Sequence, residues 1–259
     1  LLYKKVGSGT AKLAERVVGE TISILGPIGR PFAPTRKRPL MIGGGVGMPP
    51  MIFLAESIKQ DKSLQPFVIL GSEVPFPFDP QPSQIVVQGL ADGVIAAMPL
   101  LDDWGIASRL ASLQGYPGCH EGFVTDLARD WLSSLDTDAR QEVEIFTCGP
   151  HPMLEAVVRL AREFDIPVQV SLEEFMACGV GGCAGCVVEV STGVPTSDYC
   201  QVSARTLRGS RQELMVDPRK RVEAVENPWQ NLDRIESGLY LWLMPTASSP
   251  IRTLELRRL

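Results

Sequence analysis

Four of the six cysteines in this chain fall between residues 178 and 200. Cys178, Cys183 and Cys186 form a C-x4-C-x2-C run, and Cys200 follows after thirteen intervening residues. That is the ligand spacing of plant-type [2Fe–2S] centres. Three thiolates from one short loop converge only if its backbone wraps tightly, and Gly179, Gly181, Gly182 and Gly185 permit this while letting N–H groups approach cluster sulfurs. Ala184 leaves room for the inorganic core. Zinc is the alternative occupant, but zinc sites use paired C-x2-C knuckles and only one such pair is present; redox-active disulfides are a third reading. Cys119 and Cys148 lie outside the cluster. A disulfide framework belongs to short secreted chains with little core. A chain of 259 residues that is 44% apolar is not one of these. The cysteines are therefore read as reduced metal ligands, and the chain as cytoplasmic.

Composition removes several other classes. Charged residues make up 21% of the chain, an ordinary globular value. No apolar run approaches the ~18 residues of a membrane span. A net charge of −5 disfavours generic nucleic-acid binding. His120 and His151 are too few for a histidine metal site and read as solvent-edge side chains. No residue is assigned a catalytic acid, base or nucleophile role.

The chain divides into four parts. Residues 1–35 open with the strand-like Leu1–Val6, a Gly7-Ser8-Gly9-Thr10 turn, and a helical pattern carrying Leu13, Val17 and Val18, with Thr10 as N-cap. Such a turn can approach a phosphate or simply cap a surface helix. Thr21–Leu25 reads as a strand ended by breakers. Residues 36–172 read as an α/β unit. The strand Pro39–Ile42 runs directly into Gly43-Gly44-Gly45-Val46-Gly47, and Pro49 and Pro50 open a helix with Ile52, Phe53 and Leu54 on its apolar face. Strand, glycine loop and helix is the arrangement that cradles a diphosphate, although the spacing is not the full G-x-G-x-x-G, and a structural turn is the alternative. Further strands are predicted at Phe67–Leu70 and Glu142–Phe146, with a helix near 93–104. The second of these strands ends in Cys148-Gly149-Pro150, ahead of a helix bearing Leu154, Val157, Val158 and Ala161. Ligands gather at the carboxyl ends of parallel strands, so Cys148 is either a ligand-edge residue or a structural thiol. Residues 173–200 are the cysteine segment. Residues 201–259 hold ten Lys or Arg and seven Asp or Glu; their apolar run, Gly238–Met244, is expected to pack on the chain's own body, with a partner interface as the alternative.

The order of these motifs resembles the ferredoxin-reductase superfamily and, within it, the electron-transfer subunits of NAD-dependent dihydroorotate dehydrogenases. The resemblance spans about residues 1–200. It implies a nicotinamide-nucleotide domain after a mostly missing FAD-binding β-barrel, with its Arg-Pro-x-Ser motif upstream of Leu1, and a small C-terminal [2Fe–2S] domain. It further implies FAD contacts at Leu2, Tyr3 and Lys4, with Gly9 and Thr10 at the pyrophosphate. Gly43, Gly44, Gly45, Gly47, Cys148, Gly149 and Pro150 would meet NAD(H), and Cys178, Cys183, Cys186 and Cys200 would hold the cluster. Gly122-Phe123-Val124-Thr125 matches a family stretch before a helix. Two stretches depart from the pattern: Val202-Ser203-Ala204-Arg205 after Cys200, and the proline-rich 74–82 segment. The implied role is a relay from NAD(H) through FAD and the cluster to an FMN-containing catalytic dihydroorotate dehydrogenase subunit in a hetero-oligomer. A related reductase serving a ferredoxin or hydrogenase partner, and a zinc-stabilised interaction module without activity, are the competing readings.

Overall fold

The computed structural model describes residue 3 and residues 5–17, 19–22, 31–172 and 254–255. These residues divide between two compact units.

The unit built on residues 31–172 is an α/β sandwich. Its strands are β2 (Arg38–Gly44), β3 (Phe67–Gly71), β6 (Ala107–Ser112), β7 (His120–Glu121), β8 (Val143–Cys148) and β9 (Val168–Ser171). All neighbours pair in parallel, in the order β7-β6-β3-β2-β8-β9. A two-stranded antiparallel ribbon, β4 (Gln81–Pro82) with β5 (Ala96–Ala97), lies in the β3–β6 connection. Strands buried on both faces need continuous apolar runs, and Leu40-Met41-Ile42 and Val68-Ile69-Leu70 are completely buried.

One sheet face carries α4 (Val124–Ser134) and α6 (His151–Glu163). Leu127, Trp131, Leu154, Val157 and Leu160 pack there on Leu40, Ile42, Ile69, Val143 and Ile145. The other face takes α2 (Met48–Ile58), which contacts β2, β3 and β8 and buries Met51, Leu54 and Ala55. The expected face of α2 is thereby corrected. Ile52 and Phe53 are only partly buried, because the i, i+3, i+4 stripe begins at Met51.

The helix expected near 93–104 is also corrected. Ala96–Ala97 is strand, and α3 covers only Pro99–Asp103. Proline fits the first turn of a helix but not its interior, so the helix starts there. The short α5 (Thr137–Gln141) is capped by the Asp136 carboxylate, which accepts from the Ala139 N–H at 2.8 Å.

Two helices of this unit end alike. After α3, the Gly105 N–H donates to Asp102 O and the Ile106 N–H to Leu101 O, with Gly105 at φ 72°. After α6, the Asp165 N–H donates to Arg162 O and the Ile166 N–H to Ala161 O, with Asp165 at φ 53°. Both are Schellman endings, whose left-handed residue is usually glycine. Asp165→Gly should therefore raise stability by about 0.5 kcal/mol, since the relieved left-handed strain exceeds the added chain entropy. Thermal unfolding checks this, and a lower melting point in the variant would contradict it.

The linker into this unit is fixed to the sheet. Phe32 is buried edge-on against Phe146, with ring centroids 5.5 Å apart. The Glu144 carboxylate, fully buried on β8, accepts from Thr35 N–H (2.8 Å), Thr35 Oγ1 (3.0 Å) and Gln169 Nε2 (2.8 Å). Arg36 donates to Gln141 O and Val143 O.

The second unit is described at its N-terminal part. Helix α1 covers Ser8–Ala14 and buries Leu13, and β1 (Thr21–Ile22) pairs antiparallel with β10 (Leu254–Glu255). Three expectations change here. Tyr3, Lys5 and Val6 are not in a strand. The N-cap is Gly7 rather than Thr10, whose hydroxyl lies one turn in, accepts from Val6 and Gly7 N–H, and donates to Gly7 O. The helix also stops at Ala14, leaving Val17 exposed beyond it. The run 238–244 and residues 23–25 lie outside the described residues.

Candidate functional site

Sheet order locates the candidate site. From β2 the chain adds β3, β6 and β7 on one side, then returns to add β8 and β9 on the other. The reversal falls between β2 and β8, and in open α/β sheets the crevice outside the strand ends at such a point takes the ligand. Gly43 and Cys148 are register partners there, one at each strand's carboxyl end. The two motifs singled out in sequence, 43–47 and 148–150, are thus brought together by parallel pairing, 105 residues apart along the chain.

The glycines of the first loop have different jobs. Gly45 begins a 3-10 turn, Gly45–Gly47, at φ 55°, and a Cβ built on it meets nothing within 4 Å. Gly45 thus faces open space in a left-handed conformation. Gly47 is buried, and a Cβ there would run into the Cys148 carbonyl and lie 2.6 Å from Gly149 N. A side chain on Gly44 would strike Met153 Sδ at 2.5 Å, and one on Gly43 would touch Met48 Cα at 3.0 Å. The turn is therefore clamped between β2 and the Cys148–Gly149 peptide, with one glycine left facing outward. Met48 N–H donates back to Gly45 O, closing the turn. Pro49 and Pro50 then remove two donors from the first turn of α2. Hydrogen bonds to an anion at this end fall to the glycine turn, with the helix dipole behind it.

Across the crevice, Pro150 caps α6, accepting at its carbonyl from Met153 and Leu154 N–H. Cys148 is half-buried. Thr147 beside it is fully buried, and its hydroxyl has no hydrogen-bond partner among the described residues.

Buried polar residues that sequence reading passed over hold the neighbouring loops. Arg109 on β6 donates to Val94 O (2.9 Å), Ser108 O (2.6 Å) and Ile85 O (2.7 Å). Burial pushes its guanidinium below its ordinary pKa while Asp102 opposes the shift. Asp102 itself accepts from Ser83 Oγ and Gln84 N–H. Arg109 and Asp102 together tether the 83–94 segment. The only sequence signal for this was charge inside an otherwise strand-like run.

Tyr3, Gly9 and Thr10 belong to the second unit, while Leu2, Lys4, Cys178, Cys183, Cys186 and Cys200 lie outside the described residues. Among the described residues no group of three or more His, Cys, Asp or Glu could hold a metal ion, and no helix is long and apolar enough to cross a membrane.

Comparison with known proteins extends the picture to the cysteine segment. Residues 173–201 match the iron–sulfur cluster binding domain of dihydroorotate dehydrogenase B, a span containing all four clustered cysteines. The electron transfer subunit of dihydroorotate dehydrogenase B (NAD(+)) from Geobacillus sp. (strain WCH70) is 34% identical over 194 residues, which is 73% of this chain and 64% of the relative. That of Caldanaerobacter subterraneus subsp. tengcongensis is 30% identical over 193 residues, 73% of this chain and 65% of the relative. A solved NADH-dependent reduced ferredoxin–NADP oxidoreductase aligns with a TM-score of 0.48 at 24% identity, covering 73% of this chain and 60% of that one. The chain spans just under two thirds of the curated relatives it matches. Over that span, the chain is similar to the electron transfer subunits of dihydroorotate dehydrogenase B (NAD(+)).

Proposed function

We propose that this chain relays electrons between NAD(H), FAD and a [2Fe–2S] cluster, to or from an FMN-containing catalytic dihydroorotate dehydrogenase subunit in pyrimidine biosynthesis. One observation carries the reading: a glycine turn with one open, left-handed position lies at the reversal point of a parallel sheet, in a chain whose 173–201 segment matches an iron–sulfur cluster binding domain. The cytoplasm, where thiols stay reduced, suits such a cluster.

In this reading the Gly45–Gly47 turn receives the diphosphate and the nicotinamide extends toward Cys148. The clamped turn needs no rearrangement to bind. Met153 and Gly47 fix the Cys148–Gly149 peptide, and with it the wall the nicotinamide would meet. Cys178, Cys183, Cys186 and Cys200 offer four thiolates, the donor set of a [2Fe–2S] centre. Leu2, Tyr3, Lys4, Gly9 and Thr10 are the proposed flavin contacts. Flavin and cluster, when bound, supply the conversion between paired and single electrons.

The nucleotide site is tested at Gly45. Gly45→Asn keeps a residue that tolerates left-handed backbone and places a side chain in the open space. NADH affinity should fall about 10-fold or more, because a side chain there prevents the close backbone approach a diphosphate needs. Iron content and melting temperature should stay at the parent's values. Gly45→Val should lose as much affinity and some stability besides, since a β-branched residue resists φ 55°. Equal NADH affinity in parent and Gly45→Asn would reduce the loop to a turn. The partner is tested by co-purification: an FMN-containing subunit that oxidises dihydroorotate supports the relay, and a ferredoxin or hydrogenase subunit supports the related reductase.

A further inference from the structure

The far end of a dinucleotide bound at this turn would meet an edge of unusual charge. No Lys or Arg occurs from residue 63 to 108, and Arg109 is the one such residue between Lys62 and Arg129. Arg109 is buried and donates to three backbone carbonyls. Arg129, within α4, is paired with Glu163 at 3.0 Å and with Asp126 at 3.6 Å. The unit's remaining described cations gather at the amino ends of the strands and the far ends of the helices. Lys37 and Arg38 enter β2, Lys59 ends α2, and Arg162 is in the last turn of α6. Among the described residues, the carboxyl ends of β3, β6 and β7 thus present no available cation.

They do present a carboxylate. Glu73 lies two residues past the end of β3, exposed and with no hydrogen-bond or ionic partner among the described residues. Its turn is held in place on both sides. Ser72 N–H donates to Ala111 O (3.3 Å), Ser112 Oγ donates to Ser72 O (2.7 Å), and Val74 N–H donates to Ser72 Oγ (3.3 Å). Further along, Phe76 meets Phe78 and Tyr116, with centroids 5.3 and 6.1 Å apart, tying this loop to the one after β6. Glu73 is therefore carried on a fixed segment.

The register supplies the connection to the nucleotide. Gly44, at the start of the glycine turn, is opposite Gly71 at the end of β3. A dinucleotide with its diphosphate on 45–47 and its nicotinamide toward β8 must lay its adenosine ribose over the end of β3. An acid at the end of the second strand of a βαβ unit is placed to accept from a ribose 2′-hydroxyl, whereas a 2′-phosphate needs an arginine or lysine.

We propose that Glu73 is the specificity-determining residue of this site: its carboxylate accepts a hydrogen bond from the adenosine 2′-hydroxyl and, on an edge where the described residues offer no available cation, turns away a nucleotide carrying a 2′-phosphate. The inference rests on the nucleotide site proposed above and adds the residue that reads the ribose.

The test compares NADH and NADPH binding to the full chain by fluorescence titration in the parent, Glu73→Gln, Glu73→Arg and Gly45→Asn. The parent should favour NADH by about 100-fold, the scale of like-charge rejection in a binding site. Glu73→Gln should reduce that preference about 10-fold, chiefly by tightening NADPH. Glu73→Arg should bring it to about unity or reverse it, because a guanidinium pairs with phosphate. Glu73 is exposed, so the variants should melt with the parent. An unchanged preference in both Glu73 variants, with NADH binding still lost in Gly45→Asn, overturns the role of Glu73 and leaves the site. NADH binding that is indifferent to Gly45→Asn overturns the site and this inference with it.

Discussion

Gly47→Ala should unfold the first unit at a melting temperature several degrees below the parent's, while Gly45→Ala should leave it within a few degrees. The two glycines stand two residues apart in one turn, yet their surroundings are opposite. A Cβ on Gly47 would collide with the Cys148 carbonyl and the Gly149 nitrogen. These are backbone atoms of a buried strand end, paired to Gly43 on one side and Ser171 on the other. No rotamer can clear the collision, so either α2 lifts from β8 or the Cys148–Gly149 peptide moves. Overpacking in a rigid core costs about 1–3 kcal/mol and more where backbone must shift. For a unit of this size about 3 kcal/mol corresponds to a fall of roughly 6–12 °C. At Gly45 the added methyl meets nothing within 4 Å, and only the left-handed backbone resists, at about 1 kcal/mol. Thermal unfolding followed by circular dichroism distinguishes the two. A Gly47→Ala variant melting within a degree of the parent would show that α2 and β8 are not packed as described.

That contrast also shows how the sequence carries its information. The run of glycines at 43–47 announces a backbone that must turn and approach something closely, and the strand before it announces where. It cannot divide the glycines between a ligand and a neighbouring strand, because Gly47's partner, the Cys148–Gly149 peptide, lies a hundred residues away and meets it only through parallel pairing. β2, β3 and β8 were legible for a related reason. A strand buried on both faces needs an apolar run, and 40–42, 67–70 and 143–146 are nearly unbroken ones. β6 hides itself. Its Ser108, Arg109 and Ser112 look like a surface segment, and they are buried only because their polar atoms find partners: Arg109 three carbonyls, Ser112 Oγ the Ser72 carbonyl, and Ser108 Oγ the Met98 N–H. The helix misplaced over 93–104 has the same origin. Val94 to Ala97 is apolar enough for either state, and the pairing with β4 that makes Ala96–Ala97 a strand is not a local property. Glu144 is the extreme case. A lone glutamate in an apolar run has no legible role until Thr35 and Gln169 converge on it and fix the linker to the sheet.

The second large effect is expected at the cysteines. Anaerobically purified protein should contain about two irons and two acid-labile sulfides per chain, and stoichiometric zinc without sulfide would replace the relay reading with the zinc-stabilised module. Cys183→Ser should abolish most of the iron, since the residue stands in the middle of the C-x4-C-x2-C run and no spare cysteine lies within it. Cys119→Ser should leave the iron intact. Cys119 is in the first unit, partly buried, and burial pushes its thiol above the ordinary cysteine pKa, so it stays protonated and is a poor ligand. Cys200 is the most informative position. Three ligands come from one glycine-rich loop, whereas Cys200 must return across thirteen residues in which Gly193 and Pro195 punctuate β-prone stretches. No other cysteine follows it. Cys200→Ala should leave a labile or absent cluster and interrupt single-electron transfer, while NADH binding at the glycine turn, which draws on none of these cysteines, continues at the parent's affinity. A full and stable cluster in that variant would require a different fourth ligand. Asp198, two residues earlier, is the carboxylate to replace next, and an oxygen donor there would harden the site and shift its potential.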